Sequence, residues 1–231
     1  AFDGANAVIH LAGESVGEGR WTRRKKERIL ESRVQGTRHL VDRLETLEQK
    51  PEVLVSASAV GYYGSQGDHI LDETAEAGKD YLADVCQQWE AEAARARQFG
   101  IRVIPVRIGI VMGLGGGALK KMLTPFKLGL GGRLGNGKQW MPWIHLTDLV
   151  NVLCFTAQHP TLDRPINATA PHPVTNRDFT RSLGKALHRP AFFPVPGPML
   201  RLALGEFGSV LLYSQRVIPK ALTDLAFSFH F

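Results

Sequence analysis

Three short stretches of the chain hold residue types that could do chemistry at a spacing that says which. The first is GESVG, Gly13 to Gly17. Its Gly-x-Ser-x-Gly spacing is that of a nucleophile elbow, with Ser15 as the attacking hydroxyl of a serine hydrolase. Asp148 and His159 follow in the required order. An elbow enters its helix at once, however, whereas Gly19, Arg20 and Trp21 intervene here, and no HGGG-type oxyanion segment is present. The second is SASAVGYYG, Ser56 to Gly64. Ser56 and Ser58 share a strand face because side chains alternate with a period of two. A hydroxyl at a strand's carboxyl end, Ser58 first and Ser56 in reserve, can donate to a substrate oxygen. Small residues here equally suit close helix–sheet packing. The third is VMGLGGGALKKML, Val111 to Leu123, in which Gly113, Gly115 and Ala118 fit the G-x-G-x-x-A turn that holds a dinucleotide's pyrophosphate. That turn needs an acidic residue about twenty positions on. No Asp or Glu stands between Gly113 and Asp148. The letters match and the context does not, which leaves a loop whose glycines serve positive φ.

Trp140, Trp143 and His145 adjoin the glycine-rich loop GLGGRLGNG and could frame a planar or sugar substrate or pack a core. Asp148 suits a helix N-terminus, where the dipole stabilises a carboxylate. The net charge of +6 is concentrated in GRWTRRKKER, Gly19 to Arg28, read either as a solvated helix face or as attraction for a phosphate-bearing ligand. Aromatic residues do not interleave with these charges, so nucleic acid is not the expected partner. Cys86 and Cys154 are the only cysteines. Without a C-x-x-C, neither a metal site nor a disulfide framework is expected, and a reducing, cytoplasmic compartment fits. No apolar run reaches the length of a membrane span. The start, Ala1-Phe2-Asp3-Gly4, has neither a signal-peptide pattern nor an initiator Met, and reads as a fragment.

The elements that would position these residues alternate. Ala7–Leu11 is a buried strand. Leu30, Val34, Val41, Leu44 and Leu47 stripe a long helix ended by Pro51. Glu52–Ser58 is a strand. Leu82, Val85, Cys86, Trp89 and Ala93 line a second helix that Gly100 stops. Ile101–Met112 is a third strand and 118–128 a helix. Thr147 is placed to cap the next helix, Pro165–Ala170 to form a further short strand, and Thr175 or Asn176 to cap another helix through Leu187. After Pro190 the chain is proline-rich, then helical near Met199–Leu204. Strands alternating with helices imply an α/β fold with a doubly wound parallel sheet, ligands lying at the strands' carboxyl ends. The expected division is a partial dinucleotide-binding domain over 1–150, with substrate-side loops at 113–143, and a substrate-side region over 151–231 whose tail, from about 190, forms a small α+β module.

In this order the segments resemble the extended short-chain dehydrogenase/reductase family, the nucleotide-sugar epimerase/dehydratase-like group. AVIHLAG resembles that family's fourth strand and cofactor loop, ESRVQGTRHLVD the following helix, and VLVSASAVGYYG the strand with the active-site Ser or Thr. LDET resembles the acidic pair after it, VIPVRIGIVMG the strand usually reading R-P-x-x-V-Y-G, and GNGKQWMPWIHLTDLV the signature ending in I-H-V-D-D. LAGES, RWT, KMLTPFKLGLGG, MPWIH and SQRVIPKAL are similar to an atypical branch of epimerase family proteins, also described as cell-division-inhibitor-like, with a C-terminal domain of unknown function.

The resemblance implies a Rossmann-like fold, NADP or NAD as cofactor, and a small-molecule, sugar-nucleotide-like substrate. It places Leu11, Ala12 and Gly13 beside the cofactor, with Glu27 and Arg33 as contacts from the next helix. Ser58 becomes the active-site hydroxyl and Tyr81 the acid/base. The family's Tyr-x-x-x-Lys pair is broken here, because Val85 stands four residues after Tyr81 and Lys79 precedes it. The readings are therefore an epimerase or oxidoreductase with altered acid/base chemistry, a dinucleotide-binding regulatory protein without catalysis, or the serine hydrolase of Ser15. The family's phosphate-binding turn and first strands precede the segment matched by AVIHL, so incomplete cofactor binding and an unpaired edge on that strand are expected.

Overall fold

A computed structural model describes residues 2–231; Ala1 lies outside the described residues. The elements run β1 (Ala7–His10), α1 (Arg23–Glu45), β2 (Val53–Ala59), β3 (Ile70–Leu71), α2 (Tyr81–Ala94), β4 (Arg102–Ile108), β5 (Ile110–Met112), α3 (Gly117–Lys127), β6 (Trp140–Met141) and β7 (Trp143–His145). They continue with α4 (Leu146–Gln158), β8 (Ile166–Ala168), β9 (Val174–Thr175), α5 (Asn176–Ala186), α6 (Gly197–Leu204), α7 (Glu206–Val210), β10 (Arg216–Val217) and α8 (Lys220–Asp224).

Four strands make the central parallel sheet in the order β1-β2-β4-β8. Alternation along β2 and β4 feeds two cores. Leu54 and Val103 pack with Val41 and Leu44 of α1 and Ala93 of α2 on one face. Val53, Val55, Ile104 and Val106 pack with Leu149, Val152 and Leu153 of α4 and Leu222 of α8 on the other. Helices on both faces explain why the inner strands read as continuous apolar runs. Among the described residues β1 forms one edge of the sheet, bonded to β2 alone. Ile9 is 42% exposed there, and Leu146 and Val150 of α4 are exposed as well.

Several expectations are corrected. The strand expected over 101–112 breaks at Gly109, where a Cβ would lie 2.5 Å from the Pro142 carbonyl. Ile110 then donates to that carbonyl at 2.6 Å, and β5 leaves the main sheet to pair with β7. The cap of α4 is His145 rather than Thr147: the His145 ring accepts from the Thr147 N–H at 3.2 Å. Thr175 caps α5, accepting from Asp178 N–H. The boundary expected at residue 150 falls inside α4, and β8 beyond it completes the sheet. The tail also returns to the main body. β10 pairs with β3, Gln215 donates to the carbonyls of Val60 and Gly64 at 2.8 and 2.9 Å, and Leu222 is fully buried in the α4-side core.

Candidate functional site

The carboxyl end of the sheet gathers the loop after β1, the end of β2 and the N-terminal turns of α1 and α2. Leu11 is 53% exposed, and Ala12 and Gly13 are also exposed. Among the described residues the backbone groups of Ala12 and Gly13 make no hydrogen bond. The next residue, in contrast, is pinned by α1. Glu14 N–H donates to Ser32 Oγ at 2.9 Å, its carbonyl accepts from Arg33 at 3.0 Å, and its carboxylate holds Lys25 Nζ at 2.7 Å. That cation pulls the Glu14 carboxyl below its ordinary range. Arg33 also donates to the Ile29 carbonyl and stacks 5.1 Å from the Trp89 ring. A Cβ at Gly13 would stand 3.1 Å from the Arg33 guanidinium carbon, so glycine lets the cation lie directly beneath the loop. Burial lowers the pKa of Arg33.

Tyr81 opens α2 after the Asp80 cap. Its hydroxyl donates to the Lys26 carbonyl at 2.7 Å, its ring meets Trp21 edge-on at 5.5 Å, and Lys26 Nζ sits 4.4 Å above it. Burial pushes the phenol up to about 12. Tyr81 and Glu27 both line a depression of about 400 Å³ with Trp21, Lys26 and Glu206. Val85, at the position of the family's Lys, is buried.

Ser58 lies apart from that depression, buried at the end of β2, and donates to Glu90 Oε1 at 2.6 Å. Ser56, also buried, makes only a long contact to the Ala57 carbonyl. Glu90 receives two N–H groups of Arg107, at 2.9 and 3.0 Å. Arg107 further donates to Tyr63 Oη at 3.0 Å and lies 3.4 Å from the Tyr62 ring centre. Tyr63 donates to Asn167 Oδ1 at 2.7 Å, and burial carries its phenol up to about 12. Glu73 accepts from the N–H groups of Asn167 and Ala221 at 2.9 and 3.1 Å, tying β8 to the start of α8. The sequence reading named Ser58 but not the partners that tie it through Glu90 and Arg107 to Tyr63 and Asn167; the one signal for them was Arg107, a charged residue inside the largely apolar β4.

The other candidates scatter. Trp140 Nε1 donates to Asp68 at 2.6 Å beside a second crevice, away from the β1 loop. Near the start of β7 and the end of β8, Trp143 Nε1 and Thr169 Oγ1 are buried polar atoms without a partner among the described residues. His145 stacks on Phe231 at 3.8 Å, and Asp148 is buried, accepting from the N–H groups of His230 and Phe231 at 3.0 Å each. Ser15 stands in coil, seven residues ahead of its helix cap at Thr22. No histidine among the described residues hydrogen-bonds it. The glycine loop before α3 follows β5, outside the central sheet.

Comparison with known proteins places this geometry. The NAD dependent epimerase/dehydratase family matches residues 1–168, and a domain of unknown function matches residues 195–231. An epimerase family protein SDR39U1 homolog of Arabidopsis thaliana, chloroplastic, is 42% identical over 99% of this chain, which spans 66% of that relative's length. The crystal structure of human epimerase family protein SDR39U1 with NADPH superposes with a TM-score of 0.94 at 33% identity, over 98% of this chain and 78% of that one. A nucleoside-diphosphate sugar epimerase from Corynebacterium glutamicum gives 0.81 at 35% identity, over 100% of this chain and 44% of that one. With its parallel sheet, helices on both faces and open carboxyl-end loop, this chain belongs to the NAD dependent epimerase/dehydratase family.

Proposed function

We propose that this chain forms the back half of an NADP(H)-dependent epimerase or oxidoreductase of the extended short-chain type, acting on a small molecule of the sugar-nucleotide class. The observation that carries the reading is the loop of Leu11, Ala12 and Gly13. It is exposed at a strand's carboxyl end, its last two residues have no backbone partners, and it is braced from below by Arg33 and Lys25. Such a loop fits the flank of a dinucleotide, where backbone approaches closely. The buried, unpartnered Trp143 Nε1 and Thr169 Oγ1 fit a ligand that brings its own polar atoms. The described residues offer no helix N-terminus directly after β1 for a pyrophosphate, since α1 begins only at Arg23. In this reading polypeptide outside this sequence pairs with the free edge of β1, covers Ile9, Leu146 and Val150, and brings the phosphate-binding turn.

When bound, the dinucleotide supplies hydride transfer. The roles of the chain's own residues follow from their surroundings. Leu11, Ala12 and Gly13 run along the cofactor, Arg33 holds their loop at its working height, and Glu27 and Tyr81 form the rim. Ser58 donates its hydroxyl hydrogen bond to Glu90, which leaves the lone pairs of its oxygen to accept from a substrate hydroxyl. Tyr81, kept protonated by burial, is a proton donor rather than a base, and it acts only once it releases the Lys26 carbonyl. The human relative with NADPH and the Corynebacterium epimerase support the cofactor and substrate classes. A second reading, dinucleotide binding without turnover, is favoured by Val85 in place of the Lys and by the engaged Tyr81 hydroxyl.

Fluorescence titration of NADPH and NADH separates these ideas, using the protein both with its upstream polypeptide and as the 231-residue chain. Binding only to the longer form, followed by NADPH turnover with a sugar-nucleotide that Ser58→Ala abolishes while binding persists, supports the enzyme. Binding without turnover across carbonyl and sugar-nucleotide substrates supports the regulatory reading. Binding by the short chain at about micromolar affinity or tighter refutes the proposed division of the site.

A further inference from the structure

On the lobe formed by α3, α5 and the proline-rich segment after α5, large apolar side chains point into solvent. Leu128 is 69% exposed, Leu130 58%, Phe192 70% and Phe193 48%. They form one face because the two segments carrying them run together. Phe193 N–H donates to the Gly131 carbonyl at 3.2 Å and Val195 N–H to the Arg133 carbonyl at 2.9 Å. The contact is close enough that a Cβ at Gly132 would lie 1.6 Å from the Phe193 carbonyl oxygen. Lys127, Lys185 and Arg189 border this face, exposed and without a carboxylate in ion-pair range among the described residues. Nearby sequence offers none either: no Asp or Glu occurs between Glu92 and Asp148, or between Asp178 and Glu206.

Protruding aromatic and aliphatic groups ringed by unpaired cations make a surface that is soluble only while its charges are hydrated, and that gains when both parts are satisfied together. We propose that this face docks reversibly on an anionic lipid surface, with Phe192, Phe193, Leu128 and Leu130 entering the headgroup–acyl boundary and the cations meeting lipid phosphate and carboxylate. Two other occupants fit less well. A second copy of the face would set cation against cation. Single-stranded nucleic acid needs open aromatic platforms, whereas the two phenylalanine rings lie 4.8 Å apart and tilted against each other, beside leucines that do not stack.

The test is co-sedimentation of the full chain with vesicles of phosphatidylcholine, with or without phosphatidylserine. Binding is expected only to the anionic vesicles and is expected to fall with added salt. Each of Lys127→Glu, Lys185→Glu and Arg189→Glu should weaken it roughly fivefold or more. Phe192→Ser/Phe193→Ser should weaken it at least about tenfold, with the melting temperature unchanged. Tryptophan emission from Phe192→Trp should shift to the blue on anionic vesicles, a readout independent of the charge variants. The proposal is overturned by absence of vesicle binding, by equal binding to neutral vesicles, by binding that ignores the phenylalanines and is matched on single-stranded DNA, or by concentration-dependent dimers that the phenylalanine variant abolishes without any vesicle binding.

Discussion

Replacing Arg107 by Met is the most direct probe of what holds the carboxyl end of the sheet together. The Arg107 side chain is 4% exposed and that of Glu90 12%. Two charge-assisted hydrogen bonds join them, a third goes to Tyr63, and the Tyr62 ring covers the cation. Arg107→Met keeps the bulk but strands a buried carboxylate with Ser58 as its one remaining donor. Leaving one partner of a buried pair uncompensated costs about 3–5 kcal/mol, a large part of the ~5–15 kcal/mol that holds a typical domain folded. The double variant Glu90→Leu/Arg107→Met removes both charges and should recover most of that loss. A loss of about 1–3 kcal/mol should remain, because the buried Ser58 hydroxyl then lacks its carboxylate acceptor. Adding Ser58→Ala should remove this remainder. Urea unfolding followed by tryptophan fluorescence measures all three, and the informative quantity is the non-additivity. A single variant costing under about 1 kcal/mol, or a double variant as unstable as the sum of its parts, would refute the view that the pair is a buried, mutually dependent unit.

Three further outcomes follow from the same geometry. Burial raises the Glu73 carboxyl above its ordinary range despite the backbone N–H groups it accepts. A raised folded-state pKa means that its contribution to stability is present at acid pH and lost as pH rises through that value. Wild type should therefore lose melting temperature relative to Glu73→Gln as pH rises above the ordinary glutamate range, and a difference independent of pH would contradict this. Gly132→Ala should separate the segments joined near Phe193, since the added Cβ meets backbone oxygen at 1.6 Å; the expected cost is about 1–3 kcal/mol or more, with new protease cleavage between 189 and 195. Asp148→Asn leaves one acceptor oxygen for the two N–H groups of His230 and Phe231, so those amides should exchange faster at a cost of about 1 kcal/mol, and unchanged protection would refute the role of the carboxylate in holding the tail.

What was legible in the sequence was whatever a short window decides. Apolar stripes gave α1 and α2, short buried runs gave β1 and β2, and Thr175 or Asn176 marked the start of α5. The errors arose where a distant segment wins. Nothing inside Ile101–Met112 says that the strand must stop at Gly109; the reason is the Pro142 carbonyl, which occupies the place of a side chain there. Thr147 is a good cap by type, yet His145 takes the position because β7 runs directly into α4 and brings its ring to the Thr147 N–H. The candidate site shows the same division. Leu11–Gly13 came only from the resemblance of AVIHLAG to the family's fourth strand and cofactor loop. The bracing of that loop by Lys25 and Arg33, and the burial of Ser58 against Glu90, depend on which helix faces meet which strand ends. A charged residue inside an apolar segment is the signal such pairs leave. Arg107 stands in β4 among Val103, Ile104, Pro105, Val106 and Ile108, with Arg102 at the strand's first position, and Glu90 directly follows the buried Trp89. Each implies an unseen opposite charge, and the sequence offers too many acids and bases to choose the partner. The choice is made by β4 and α2 packing on one face of the sheet, so the chemistry of Ser58 is fixed by a contact between elements seventeen residues apart.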